Sequence, residues 1–254
     1  MPEAIDLFDS HLHIIDPRFP LVPNSGYLPR TFTTDDYLER ISGYKLVGGA
    51  IVSGSFQGFD QRYLLAALKA LGPAFVGVTQ LPAETPDDQI LELHAAGVRA
   101  LRFNLYRGTS TDLDQMVSMA HRVYALAGWH IELYVDSTEL QQMSVTLEQL
   151  PAVSIDHLGL REAGLTNLLR LAEKGVKVKA SGFSRIDFDA AQAIKLLYQA
   201  NPDALMFGTD LPSTRAPRPF LSSDADIVFD VLGSTEAAKV FKENAIDFYK
   251  PGMW

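Results

Sequence analysis

Three histidines and one aspartate in this chain have the types and the placement that chemistry needs. His11 and His13 stand two apart just after 5–10 (Ile-Asp-Leu-Phe-Asp-Ser), a run that reads as a β-strand. On an extended chain that spacing puts both imidazoles on one face, with Asp9 beside them and Phe8, Ser10 and Leu12 opposite. Two imidazoles so placed make half of a metal site, or a pair of donors to a substrate oxygen. His157 directly follows another such run, 152–156 (Ala-Val-Ser-Ile-Asp). Asp210 directly follows the apolar run 204–209 (Ala-Leu-Met-Phe-Gly-Thr) and precedes Leu211-Pro212. A carboxylate there serves as general base or metal ligand, or as a turn former ahead of the proline. His94 and His121 fall in helical stretches and His130 opens a strand, so these are read as packing or surface residues.

The elements that must position these groups alternate regularly. Strands are predicted at 5–10, 46–53, 74–80, 98–104, 129–135, 152–156, 176–181 and 204–209. Helices are predicted at 60–71, which opens on Asp60 and stops at Gly72-Pro73, and at 86–96, 112–127, 164–174, 188–200 and 235–248. Eight strands alternating with helices in 254 residues predict a (β/α)8 TIM barrel, read as a single domain over 1–254. An open doubly wound sheet would carry a Gly-rich turn after its first strand; this chain has Asp9-Ser10-His11-Leu12-His13 instead. In a barrel the active residues come from the C-terminal ends of strands, where His11, His13, His157 and Asp210 fall. The long, Pro-rich stretch 14–33 is expected to lie over that face.

Composition narrows the field. Cysteine is absent, which excludes disulfide frameworks, cysteine–zinc sites and cysteine nucleophiles. Twenty-two Lys+Arg against 31 Asp+Glu give −9, a poor balance for binding duplex nucleic acid. No apolar run approaches the ~20 residues of a membrane helix, and the first residues lack a basic segment followed by an apolar one. A cytoplasmic location is the expectation, with no nucleic-acid or membrane partner. Oligomeric state is not legible.

Asp9-Ser10-His11-Leu12-His13, Asp156-His157-Leu158-Gly159 and Gly208-Thr209-Asp210-Leu211-Pro212 resemble the amidohydrolase superfamily (amidohydrolase family 2). Three further stretches resemble its branch typified by 2-pyrone-4,6-dicarboxylate lactonase. They are Ser53–Asp60, Gly97–Asn104 and Lys179-Ala180-Ser181-Gly182 with Arg185. There are departures. Tyr134 stands where many metal-dependent relatives have a strand-5 histidine, and strand 4 offers Arg102 and Asn104 rather than a bridging lysine or glutamate. Leu211 replaces the usual tryptophan.

Arg102, Arg107, Lys179 and Arg185 sit at or past strand ends, and Arg161 and Arg215 are candidates to join them. That many cations in an acidic protein point to an anionic ligand, a carboxylate held through paired donors. The expected substrate is a small carboxylate-bearing lactone of the pyrone-dicarboxylate or muconolactone kind, which would place the enzyme in aromatic-compound degradation. The resemblance implies a hydrolase in which Asp210 activates water and His11, His13 and His157 polarise the carbonyl. Arg102, Arg107 and Arg185 would hold carboxylates, with Tyr27, Ser55 and Tyr134 completing the wall. It further implies that no metal is required. Were a divalent ion such as zinc bound, His11, His13, His157 and Asp210 would be its ligands. The alternatives are a Zn- or Mn-dependent hydrolase or decarboxylase of the same superfamily, and a non-catalytic barrel that binds an acidic metabolite.

Overall fold

The computed structural model describes residues 6–107 and 112–252; Ile5 of the first predicted strand and the leading residues lie outside it. Eight strands run β1 Asp6–Leu12, β2 Lys45–Val52, β3 Phe75–Thr79, β4 Val98–Asn104, β5 His130–Tyr134, β6 Val153–Ile155, β7 Lys177–Ala180 and β8 Leu205–Phe207. Each pairs in parallel with the next, in the order β1 to β8. The sheet closes on itself through a parallel bridge between Leu12 and Leu211. This is the predicted (β/α)8 barrel.

The helices are α1 Thr34–Arg40, α2 Arg62–Leu71, α3 Asp87–Ala95, α4 Leu113–Ala127, α5 Ser144–Gln149, α6 Leu165–Glu173, α7 Ala190–Ala200, α8 Ser222–Leu232, α9 Ser234–Ala238 and α10 Asn244–Tyr249. Their ends follow local chemistry. The Asp112 carboxylate accepts from two first-turn amides of α4, and Gly128 ends that helix in the left-handed conformation. Thr33 and Asp36 cap each other at the start of α1. Helices α1, α5 and α8 were not expected from sequence. Two of them span only 7 and 6 residues, too short for a clear apolar period.

Alternate strand residues divide between two cores. Leu7, Ile51, Phe75, Leu101, Ile131, Leu133, Ile155, Val178 and Phe207 face the helices. Phe8, Ala50, Val52, Val76, Val78, Ala100 and Met206 fill the barrel on the β1–β4 and β8 side. Ala245 and Tyr249 of α10 pack into this inner group and plug one end. The β5–β7 side of the interior is polar: His130, Glu132, Ser154 and Lys179 are all buried there.

One sequence expectation fails in β1. Phe8 lies inside the barrel, whereas Asp9 turns to the Tyr37 hydroxyl of α1 (3.2 Å) and to Thr209. The cause is a bulge: three steps along β1 from Asp9 to Leu12 match two along β2 from Gly49 to Ile51. The extra residue resets the alternation, so His11 and His13 share a face that Asp9 does not.

Candidate active site

Barrel closure itself assembles the site. The Asp210 amide donates to the His11 carbonyl (2.7 Å) and the His13 amide donates to the Leu211 carbonyl (2.8 Å). Around this seam, Asp210 Oδ1 lies 3.5 Å from His13 Nε2, 3.9 Å from His11 Nε2 and 4.0 Å from His157 Nε2. The His11 ring centroid is 5.1 Å from that of His13 and 4.7 Å from that of His157. Asp210, His11, His13 and His157 are all buried.

The backbone is bent to achieve this. Asp210 and His157 hold φ of +58° and +52°, a region that costs a residue other than glycine about 1–3 kcal/mol. At His157 the left-handed turn breaks strand alternation, so Asp156 and His157 both point inward although adjacent. Gly182 is needed for close approach: a Cβ there would fall 2.7 Å from His157 Nδ1 and 2.8 Å from Arg185 Cδ.

Hydrogen-bond partners constrain the states of the imidazoles. His13 Nδ1 donates to the Val52 carbonyl (2.7 Å), leaving a bare Nε2 toward Asp210 in the neutral ring. His11 Nδ1 stands 3.3 Å from both Asp156 Oδ1, an acceptor, and Lys179 Nζ, a donor. His157 Nδ1 meets the Ser181 hydroxyl (2.9 Å), which either donates or accepts. The Nδ1 partner thus fixes the tautomer of a neutral His13, whereas the partners of His11 and His157 admit either tautomer. Burial lowers the His11 pKa to about 4 and that of His157 well below its usual value, so both rings are neutral near pH 7. Burial opposes ionisation of Asp210, but the Arg185 guanidinium and the imidazoles override it and hold the carboxyl far below its ordinary range.

The cations do not act as one group. Arg185 Nε and Nη2 both sit 2.7 Å from Asp210 Oδ2, and Nη2 also meets the Thr214 carbonyl (2.8 Å). Arg102 places Nε (3.1 Å) and Nη2 (2.8 Å) on Asp156 Oδ2 and Nη1 on the Ser53 carbonyl (3.1 Å). Lys179 is wholly buried against Glu132 and Asp156, below the mouth rather than in it. Arg161 pairs with Asp136 and Asp187, apart from the pocket lining. Arg107 and Arg215 remain as pocket cations with no carboxylate partner among the described residues. Arg107 packs on the Tyr106 ring (5.5 Å), and Arg215 on Tyr27 (4.4 Å).

A small pocket opens above the cluster, lined by His13, Ser55, Asn104, Arg107, Tyr134 and His157 and also by Arg102, Arg185 and Arg215. Tyr134 stands edge-on to His157 (5.2 Å), with the Arg102 guanidinium 5.3 Å from its ring. Tyr27 lies outside this lining and touches the cavity only through Arg215, contrary to expectation. Sequence reading missed the roles of Asp156, Glu132 and Ser181. For Asp156 the signal was present in its neighbour, since His157 had been selected, but regular alternation hid it.

The donor set passes a chemical test for a metal. His11 Nε2 and Asp210 Oδ1 are buried polar atoms without a hydrogen-bond partner, and with His157 their ligand atoms lie within 4.8 Å of one another. Three imidazoles and a carboxylate suit a divalent ion such as zinc. The surrounding charge opposes it, because Arg185 already neutralises Asp210 and Lys179 Nζ is 3.3 Å from His11 Nδ1.

A (β/α)8 barrel with histidines on its first and sixth strand ends and an aspartate on its eighth is the frame of an enzyme, with its reactive groups at the strand C-termini. The amidohydrolase family model matches residues 8–250, and the chain belongs to that family. It is 28% identical over 156 residues to a 2-pyrone-4,6-dicarboxylate hydrolase of Comamonas testosteroni, covering 59% of this chain and 51% of that one. The match thus spans about half the length of that relative. A D-galactarolactone isomerase of Agrobacterium fabrum is 24% identical over 221 residues, 80% of this chain and 75% of that one. A Pseudomonas putida structure provisionally named 2-pyrone-4,6-dicarboxylic acid hydrolase superposes with a TM-score of 0.83 at 26% identity, over 96% of this chain and 97% of its own.

Proposed function

We propose that this protein hydrolyses the ring ester of a small lactone that carries carboxylate groups. The observation that carries the reading is Asp210 Oδ1, buried and without a hydrogen-bond partner among the described residues, with three imidazole Nε2 atoms within 4.0 Å; two of these histidines, His13 and His157, line a pocket in which Arg107 and Arg215 have no carboxylate partner among the described residues. Two guanidinium groups without a carboxylate partner among the described residues match two carboxylates, Arg215 also donating to the Asn24 carbonyl. The compound in the name of the Comamonas relative has that chemistry and is the first to test.

In this scheme a water molecule lies between Asp210 Oδ1 and the bare Nε2 of His13, both acceptors, which turns an oxygen lone pair toward the lactone carbonyl. Asp210 takes the water's proton as the C–O bond forms. Its other oxygen stays locked by Arg185, so the accepting oxygen does not rotate away. His157 Nε2–H donates to the developing oxyanion, with Ser181 holding the opposite nitrogen. When the ring bond breaks, the proton on Asp210 passes to the departing ring oxygen. Arg107 and Arg215 fix the substrate's carboxylates and so the distance from carbonyl to water. The chain's own groups thus supply every proton transfer, and no metal is required in this scheme. A divalent ion bound by His11, His13, His157 and Asp210 would supply polarisation of the carbonyl.

The test is a panel of carboxylated and neutral lactones in weakly buffered solution, with and without chelator. Ring opening of each lactone releases one proton near pH 7, and isomerisation releases none. Acid release from dicarboxylate lactones that survives chelation is expected. Conversion without acid release would replace the reading with the isomerase chemistry named for the Agrobacterium relative. Binding without conversion would leave an anion-binding barrel.

A further inference from the structure

His11 faces two clusters. Its Nε2 looks up toward Asp210, and its Nδ1 looks down into a second nest that the mechanism above does not use. There, His11, Glu132 of β5 and Asp156 after β6 bring one ligand atom each within 4.8 Å of one another, all wholly buried. One nitrogen and two carboxylate oxygens, delivered from three strands, form a donor set of the kind that takes a divalent cation.

That position is already filled from within the chain. Lys179 of β7 extends its ammonium into the nest, with Nζ 2.5 Å from Glu132 Oε2, 3.3 Å from His11 Nδ1 and 3.4 Å from Asp156 Oδ1. The second oxygen of Glu132 takes the Tyr249 hydroxyl from α10 and stands 3.3 Å from His130 Nε2. Arg102 covers the other oxygen of Asp156. Two carboxylates are thus matched by two fixed cations, and the buried group is neutral. A divalent ion added to it would leave a dry interior with two uncompensated charges, which is costly.

We propose that Lys179 is a tethered substitute for a divalent metal ion in the nest of His11, Glu132 and Asp156, and that its ammonium keeps such an ion out. This stands apart from the lactonase reading and holds whichever reaction the outer cluster performs. Removing the ammonium leaves two buried carboxylates with one cation and three ligand atoms around an empty position, so Lys179→Ala should acquire a metal that the wild type does not hold.

The experiment is zinc stoichiometry by elemental analysis, after titration with Zn²⁺ and gel filtration. It compares the wild type, Lys179→Ala and the double variant Lys179→Ala/Glu132→Gln. Lys179→Ala is expected to retain about one equivalent more than the wild type, and the double variant to lose that gain, because a neutral amide is a poor ligand. Zn²⁺ should also raise the thermal midpoint of Lys179→Ala more than that of the wild type. Should Lys179→Ala fail to fold alone, refolding with Zn²⁺ present is expected to restore its near-ultraviolet dichroism. Equal zinc content in wild type and Lys179→Ala, extra zinc that survives Glu132→Gln, or a chain that stays unfolded with zinc would each overturn the proposal.

Discussion

The backbone amide of Asp210 donates to the carbonyl of His11 at 2.7 Å, across the seam where the last strand meets the first. The proposed base and an imidazole of its cluster are therefore tied by the bond that closes the barrel. Substitution of the Asp210 side chain leaves this bond in place, so chemistry and closure can be separated. Asp210→Asn is expected to lower kcat for lactone hydrolysis by about 10²–10⁴-fold, with far-ultraviolet dichroism unchanged. Arg185 loses its charged partner in that variant, so the thermal midpoint should fall as well. Activity within threefold of wild type, a factor set by about 0.6 kcal/mol of barrier, would remove Asp210 from the reaction.

The division of the cations predicts that two arginines behave oppositely. Arg107 has no carboxylate partner among the described residues, so Arg107→Met should raise KM for a dicarboxylate lactone by about 10–100-fold, the worth of a hydrogen-bonded charge pair. It should leave KM for a neutral lactone and the thermal midpoint nearly unchanged. Arg102 is the buried partner of Asp156. Arg102→Met strands that carboxylate, and a loss of about 3–5 kcal/mol in urea unfolding is expected. Equal KM effects on charged and neutral lactones in Arg107→Met would refute the anion pocket.

Burial of His11 gives a pH dependence with a definite sign. Its pKa is about 4 in the folded chain and about 6.5 when unfolded. Between these values the unfolded chain binds more protons, so stability falls as pH drops from 6.5 toward 4. The contribution lost is about 3 kcal/mol at most. It is fully present above pH 6.5. Urea midpoints from pH 8 to 4 measure the loss, and a His11→Gln variant with the same pH dependence as the wild type would show that His11 is not its source.

The barrel was legible because its strands are short, apolar and punctuated, with Gly72-Pro73 and Gly128 marking helix ends. The convergence of His11, His13, His157 and Asp210 followed from their places at strand ends. Three things were not legible. The β1 bulge that separates Asp9 from His11 and His13 has no local signature, because it arises from pairing with β2. The left-handed φ of His157, which brings Asp156 inward, occurs at a residue that rarely adopts it. The partners of Arg102, Arg185 and Lys179 lie 54, 25 and 47 positions away. A cation near a strand end reads the same whether it awaits a ligand or already holds a carboxylate.

Gly182 tests how tightly the cluster is set. Its φ is +59°, and an added Cβ would meet His157 Nδ1 at 2.7 Å and Arg185 Cδ at 2.8 Å. Neither neighbour yields freely. His157 is buried, its Nδ1 held against Ser181, and Arg185 is pinned to Asp210 and Thr214. Gly182→Ala should therefore move the donor imidazole and the clamp on the base together. A stability loss of about 1–3 kcal/mol is expected from strain and crowding. The activity loss should exceed what unfolding accounts for and appear in kcat more than in KM, since Arg107 and Arg215 are untouched. Crowding alone predicts the reverse, a lowered thermal midpoint with kcat intact at temperatures where the protein remains folded. Measuring kcat well below the midpoint separates the two.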